Sequence, residues 1–110
     1  MASDILYERH GAVRLITIDR ADQMNSLDFA ANDRLTDIWR EFAADDEARA
    51  AVITGAGNKA FCAGADLKTY TIDYATRPEA EFRERYTDGT GFGGITRGLD
   101  IDKPIVAAIN

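Results

Sequence analysis

The fold of this chain is decided at residues 51–68, which read AVITGAGNKAFCAGADLK. The β-branched residues 52–54 predict a strand, and Gly55 and Gly57 then allow the backbone to turn. Helix-compatible sequence resumes near Asp66. We therefore expect a strand, a glycine loop and a helix in direct succession.

The backbone of this loop is the expected binding element. Gly64 permits a tight approach or a positive φ. Because the first amides of a helix have no acceptor within the helix, the N–H groups of Ala65 and Asp66 are expected to point outward. Such amides can hold an oxyanion.

Three segments carry a resemblance to a known family. NKAFCAGADLK, at 58–68, closely resembles the loop of the enoyl-CoA hydratase/isomerase (crotonase) family. DRADQMNSL, at 19–27, resembles its early strand-end motif, and DKPIVAAIN, at 102–110, resembles the strand before its second glycine-rich turn. The resemblance implies an α/β, crotonase-like (ClpP/crotonase) fold, a spiral of strand-strand-helix units. Family domains are longer, so residues 1–110 are expected to be the N-terminal part of a single, incomplete domain.

The same resemblance implies an acyl-CoA thioester substrate and an enoyl-CoA hydratase reaction, in which water adds through an enolate held by two backbone amides. Ala65 would donate one amide. The residues expected to line CoA are Ala63, Ala65, Asp66, Leu67, Lys68 and Lys59. Coenzyme A belongs to the substrate, so no separate cofactor is expected. A homo-oligomer, either a trimer or a hexamer, is implied by resemblance alone.

Other functions stay open. Isomerisation, decarboxylation or thioester hydrolysis would use the same loop, because this family differs in downstream acid and base residues, which the resemblance places beyond Asn110 together with the second amide. A non-catalytic acyl-CoA-binding or assembly module is the alternative from another class. Reading the gene past Asn110 would separate the module from the enzyme.

The central loop also has competing interpretations. Residues 55–60 fit the permissive dinucleotide-binding fingerprint, but a Rossmann motif opens directly into a helix, whereas residues 61–64 continue irregularly. Cys62 is expected to be a packed thiol and not a nucleophile, because His10, the one histidine, is distant in sequence. Asp66 is expected to cap a helix more than to act as a base.

Composition narrows the class of protein. The net charge is −6 over 110 residues, which argues against a nucleic-acid surface. No apolar run is long enough to cross a membrane. A single histidine without companion ligands makes a metal site improbable. The first four residues lack the features of a secretory signal, so the cytoplasm is the expected compartment.

Before the loop, residues 5–19 predict a hairpin turning at Gly11, with Arg14 directed away from the core. Residues 28–45 predict an amphipathic helix with Trp39 in its apolar stripe, capped by Asn25, Ser26 or Asp28. That apolar stripe comprises Ala31, Leu35, Ile38, Trp39 and Phe42. Arg20 is a candidate phosphate contact, whereas Asp22 would repel phosphates.

After the loop, the helix is expected to run to about residue 75 and another to begin near Pro78. Glu79 with Arg83 and Glu81 with Arg85 are spaced for ion pairs. Glycines at 89–94 predict a flexible segment, which the resemblance places beside the acyl pocket. The continuous apolar run at 105–109 predicts a buried strand, and residues 50–54 predict another.

Overall fold

A computed structural model describes residues 4–110, and within them four strands form one sheet. The strands are β1 (Ile5–His10), β2 (Val13–Ile18), β3 (Ala50–Gly55) and β4 (Ile105–Ala108), and they lie in that order across the sheet. The first pair is antiparallel and the other two pairs are parallel. The start of the chain, on which the expected compartment depends, lies outside the described residues.

Helices connect the parallel strands. They are α1 (Phe29–Ala44), α2 (Leu67–Thr76) and the short α3 (Glu79–Phe82), which continues as a π-helical turn, Arg83–Thr87. Three-residue helical turns occur at Ala21–Gln23 and Phe92–Gly94. Within residues 4–110, every helix is too short or too polar to span a bilayer.

The helix α1 supplies most of the core, as its apolar spacing predicts. Its buried apolar side chains are Phe29, Ala31, Leu35, Ile38, Trp39 and Phe42. Of the three predicted caps, Asp28 is the one used, since its Oδ1 accepts from the Ala31 amide at 2.8 Å. Trp39 is 1% exposed, so its assignment to the core is confirmed.

The hairpin forms as predicted, but the prediction for Arg14 was wrong. Ile16 and Ile18 face the core, and Arg14 is buried with them at 3% exposure. Its Nη2 donates to Asp45 Oδ2 at 2.9 Å and its Nη1 to the Gly11 carbonyl at 2.8 Å. These partners explain how a charged side chain is accommodated on the core face. The hydrogen bond from Arg14 also holds the pKa of the Asp45 carboxyl below its usual range.

Two of the glycines at 89–94 contact α1 closely, which the sequence did not indicate, and the flexibility of the segment stays a prediction. The Gly93 amide donates to Asn32 Oδ1 at 2.6 Å, and the Gly93 carbonyl accepts from Trp39 Nε1 at 2.9 Å. Gly94 has φ +71°, and a Cβ there would lie 2.7 Å from Thr36 Cα. These glycines therefore allow the chain to pack directly against the backbone of α1.

Further predictions concern the burial of two strands and two ion pairs. Within residues 4–110, β4 is the outer strand of the sheet, and Val106 is 55% exposed. The strand β3 is half-buried over residues 52–54. Glu81 and Arg85 do pair, at 3.7 Å, but Arg83 lies beside Asp88 at 3.9 Å. Arg83 was predicted to pair with Glu79. We attribute its different partner to the end of the α-helix at Phe82, after which the chain continues as a π-helical turn.

Candidate active site

The candidate site lies where β2 and β3 end together. Because these strands are parallel and in register from Val13 with Ala50 to Ile18 with Gly55, the segments that follow them leave the same edge of the sheet. We call residues 56–66 the amide loop and residues 19–28 the strap. The structure places these two segments side by side, joined by backbone hydrogen bonds.

A parallel bridge between Leu27 and Ala65 fixes the end of the amide loop. The Leu27 amide donates to the Gly64 carbonyl at 2.8 Å, and the Asp66 amide donates to the Leu27 carbonyl at 2.9 Å. In a parallel bridge of this type, the two hydrogen bonds use the residues on either side of one bridge residue, whose own N–H points away from the partner segment. Here that residue is Ala65, so the bridge leaves its amide unused.

The structure thus distinguishes two amides that the sequence treats alike. The Ala65 N–H donates no hydrogen bond to an acceptor within residues 4–110. The expectation of an outward, unengaged amide at Asp66 was wrong, because the bridge uses that N–H. Only the first of the two predicted donors is therefore available to a ligand.

Glycines shape the amide loop in the way predicted. Gly57 and Gly64 have φ of +78° and +102°, a region that residues with a Cβ rarely adopt. Gly55 is required for a different reason. A Cβ there would lie 2.7 Å from Asn25 Nδ2 and would also collide with the Phe61 carbonyl. The loop can therefore close only over a residue without a side chain.

Asn25 holds the first half of the amide loop, a role that the sequence did not indicate. Its Nδ2 donates to the carbonyls of Ala56 and Ala60, at 2.9 and 2.8 Å, and its Oδ1 accepts from the Arg20 amide at 2.9 Å. The side chain is fully buried. The sequence places Asn25 in the segment after β2, but the carbonyls that its side chain contacts lie 31 and 35 residues away.

Asp66 caps α2, as predicted. Its Oδ1 accepts from the Lys68 amide at 3.1 Å, and its Oδ2 accepts from Arg20 Nη2 at 2.8 Å. Arg20 is thus an internal residue, 8% exposed at its side chain. Its suggested role as a phosphate contact was wrong, since carboxylates of the chain itself already surround its guanidinium.

The other predicted binding residues are distributed along the amide loop and the start of α2. Ala63, Leu67 and Lys68 are exposed beside the bridge, with Leu67 at 74%. Lys59 is also exposed and lines a separate cavity of ≈ 180 Å³ between the loop and the strap. Cys62 is half-buried and packs against the core, in agreement with a packed thiol.

A larger cavity, of ≈ 440 Å³, lies between α1 and the π-helical turn. Its polar lining includes Asp33, Asp37, Glu81 and Glu84 together with Arg40 and Arg85. None of the predicted site residues line it, and its carboxylates would oppose the phosphates of CoA. We therefore place the candidate site at the amide loop, although the cavity there is smaller.

An aromatic cluster supports α2 from the side of α1. We use this name for Phe29, Tyr70, Phe82 and Tyr86, whose rings lie 5.1–5.9 Å apart. Burial raises the pKa of Tyr86 to about 12, so its hydroxyl is neutral near pH 7. Arg85 stacks over Phe29 at 4.6 Å and forms two hydrogen bonds to Asp33. The first turn of α2 therefore packs against a cluster of uncharged aromatic rings.

A partly parallel sheet whose parallel strands are connected by helices agrees with the crotonase-like α/β fold of the structural neighbours. Residues 8–110 match the family model described as enoyl-CoA hydratase/isomerase. The chain belongs to the enoyl-CoA hydratase/isomerase family.

Individual relatives agree with this assignment. The chain is 37% identical over 110 residues to a carnitinyl-CoA dehydratase of Citrobacter koseri, covering all of this chain and 39% of that protein. A crystal structure of a carnitinyl-CoA hydratase from Mycobacterium avium matches with 42% identity and a TM-score of 0.80, covering 100% of this chain and 40% of the other. An enoyl-CoA hydratase/isomerase structure from Mycobacterium paratuberculosis matches at 34% identity, also with a TM-score of 0.80, and covers 100% of this chain and 42% of that one. The chain thus spans about two fifths of the length of these relatives.

Proposed function

We propose that this chain is part of an acyl-CoA-processing enzyme whose reaction is the hydration of a 2-enoyl-CoA thioester. The observation that carries the proposal is the unused Ala65 amide, held by the bridge at the start of α2. A thioester oxygen placed there would accept this N–H, and the positive end of the helix would favour the charge that develops on the oxygen. The amide would thus stabilise an enolate.

The chemistry that follows is addition across the 2,3-double bond. A water oxygen bonds to C3 while one of its protons passes to a base, the π electrons move toward the thioester carbonyl to form the enolate, and a proton is then delivered to C2. Asp66 is unsuited to move that proton, because its two oxygens accept from the Lys68 amide and from Arg20. We therefore assign the proton-transfer groups to a part of the enzyme outside residues 4–110, as the family resemblance implies.

Binding of CoA is proposed to use the exposed surface beside the bridge. Ala63, Leu67 and Lys68 lie next to the proposed carbonyl position, and Lys68 supplies positive charge in a chain of net charge −6. Lys59, at the other side of the loop, is the second proposed phosphate contact. CoA enters as part of the substrate in this proposal, and no separate cofactor is invoked.

A second candidate within the same chemistry is the dehydration of carnitinyl-CoA or its reverse. It is supported by the names of two relatives, the Citrobacter koseri dehydratase and the Mycobacterium avium hydratase. The compartment and the assembly are proposed from family resemblance alone. We propose a cytoplasmic enzyme of fatty-acid or other acyl-CoA metabolism that forms a homotrimer or a hexamer.

The experiment is a product analysis with the full-length protein. Incubated with a short 2-enoyl-CoA, it should remove the ultraviolet absorbance of the conjugated thioester and yield a product heavier by one water. A product of unchanged mass would indicate an isomerase, release of free CoA a hydrolase, and binding without turnover a non-catalytic module. Running carnitinyl-CoA in parallel, in the direction of dehydration, compares the carnitine-type substrate with a simple acyl chain.

Lys68→Glu tests the proposed phosphate contact. We expect the KM for an enoyl-CoA to rise about three- to tenfold, because reversal of an exposed charge near phosphates has a modest effect. The KM for a pantetheine thioester without the nucleotide should change much less. Arg49→Glu, an exposed charge reversal before β3 at the opposite edge of the sheet, is the matched control. Equal changes for both substrates would remove Lys68 from the phosphate site.

A further inference from the structure

Arg20 makes the most extensive side-chain contacts near the candidate site. Its Nε donates to the Ser26 carbonyl at 2.6 Å, and its Nη1 donates to Asp4 Oδ2 at 2.7 Å and to Asp28 Oδ2 at 3.2 Å. Its Nη2 donates to Asp66 Oδ2 at 2.8 Å. One buried guanidinium is therefore shared by a carbonyl and three carboxylates.

Two of these carboxylates are the N-caps of the two longest helices described. Asp28 uses Oδ1 for the Ala31 amide of α1, and Asp66 uses Oδ1 for the Lys68 amide of α2. In both residues the second oxygen, Oδ2, is the one that contacts Arg20. Each aspartate thus joins a helix terminus to the same guanidinium, and Arg20 ties the two termini together.

The link reaches the Ala65 amide along the backbone, because the Ala65 N–H lies one residue before the Asp66 amide. Asp66 follows Ala65 directly, and its own N–H is bound to the carbonyl of Leu27, which is adjacent to Asp28. Residues 65–66 are consequently joined to residues 27–28 by backbone bonds and again by the shared arginine. The Gly64 carbonyl, which shares a peptide plane with the Ala65 N–H, accepts from the Leu27 amide at 2.8 Å, so that bonds on both sides of Ala65 restrict that plane.

Charge makes the arginine necessary for this arrangement. Without a cation, the carboxylates of Asp28 and Asp66 would both remain near the emptied position and repel each other. Loss of one partner from a buried ion pair is also costly, because the other charge stays desolvated. The expected relaxation is a rotation of Asp66 away from the strap, which would loosen the bridge to Leu27 on both sides of Ala65 and so change the direction of the Ala65 N–H.

We propose that Arg20 is a positioning residue that sets the direction of the Ala65 N–H through Asp66 and Asp28, without touching the substrate; this inference rests on the proposed function of that amide. Misplacement of a catalytic group by about 1 Å can lower a rate by roughly 100-fold. Arg20→Gln should therefore lower kcat by roughly 10- to 100-fold and change KM by less than about threefold.

Conservative variants test the geometry instead of the charge. Arg20→Lys keeps the cation but cannot reach the carbonyl and three carboxylates at once, so it should recover only part of kcat. Asp66→Asn retains an oxygen acceptor for the Lys68 amide and weakens the link to Arg20. When Asp66→Asn is combined with Arg20→Gln, kcat should fall little further, because both substitutions disrupt the same Arg20–Asp66 interaction.

Arg14 provides a matched control within the same chain. It is also buried and paired with an aspartate, but it lies toward the opposite end of β2 from the amide loop. Arg14→Gln should lower the unfolding temperature as Arg20→Gln does, with little change in kcat. Comparing the two separates general destabilisation from a specific effect on the site.

The decisive measurement is the carbonyl stretching frequency of a bound 2-enoyl-CoA in the full-length enzyme, followed by infrared difference spectroscopy. Wild type and Arg14→Gln should show the frequency lowered by the amide, and the Arg20 variants a smaller shift. Folded Arg20→Lys and Asp66→Asn enzymes with wild-type frequency and kcat would overturn the inference even if Arg20→Gln fails to fold. Wild-type enzyme without turnover or a carbonyl shift would instead overturn the proposed function, and this inference with it.

Discussion

We expect Ala65→Pro to lower the turnover of the full-length enzyme by about 10²–10³-fold, the effect of losing one oxyanion-hole donor. A methyl side chain has no acid–base or nucleophilic chemistry, so a catalytic contribution from residue 65 must come from its N–H. Proline deletes that N–H. The measurement is kcat with a 2-enoyl-CoA, together with CoA binding and the circular dichroism of the same variant.

The structure makes this substitution a clean test. Within residues 4–110 the Ala65 N–H has no acceptor, so proline would remove no hydrogen bond that holds the loop. Gly64, at φ +102°, is the residue that proline would restrict, which is why folding must be checked. Ala65→Gly, which keeps the amide, should have a much milder effect. A folded Ala65→Pro enzyme that binds CoA and retains turnover within a few-fold would exclude this amide from the oxyanion hole.

Local signals in the sequence were sufficient for the framework around this amide. Alternation in residues 5–19, the apolar stripe of residues 28–45 and the glycines after β3 each depend on neighbours within a few positions. Each of these predictions was confirmed in type and nearly in extent. The amide loop was predicted for the same reason, because its turns occur at glycines within the loop itself.

The predictions that were wrong depend on partners far along the chain. Arg14 is buried by Asp45, 31 residues away, and Arg20 by Asp66, 46 residues away. Strand alternation directs Arg14 away from the core, and the sequence makes Arg20 a candidate phosphate contact, because neither interpretation can represent such pairs. Gly93 and Gly94 show the same limit, since a glycine that frees a loop and one that admits a helix backbone have the same sequence appearance.

The candidate donor itself could be named only through the family resemblance. A backbone amide has no side-chain signature, and the sequence treats Ala65 and Asp66 as equivalent first amides of a helix. The bridge to Leu27 resolves the choice, because it engages the Asp66 N–H and leaves its neighbour unused. The sequence therefore located the loop, the resemblance named Ala65, and the pairing of loop and strap leaves the N–H of that residue without an acceptor in the described chain.

Trp39→Ala should lower the unfolding free energy of the full-length protein by about 3–5 kcal/mol, the usual loss for truncation of a buried tryptophan. The side chain is 1% exposed, and its ring meets Phe42 edge-on at a centroid distance of 6.3 Å. Its Nε1 also fixes the Gly93 carbonyl, so the substitution leaves both a cavity and an unpaired acceptor. Urea unfolding followed by circular dichroism measures the change.

Two controls separate these contributions. Trp39→Phe keeps an aromatic ring in the core but removes the donor to Gly93, so it should cost about 1–3 kcal/mol. Ile72→Ala, on the exposed face of α2, should stay within about 0.5 kcal/mol of wild type because little apolar surface is buried there. If Trp39→Ala and Ile72→Ala unfold at the same urea concentration, α1 is not the centre of the core. The attachment of the glycine segment through Gly93 would then have no energetic support.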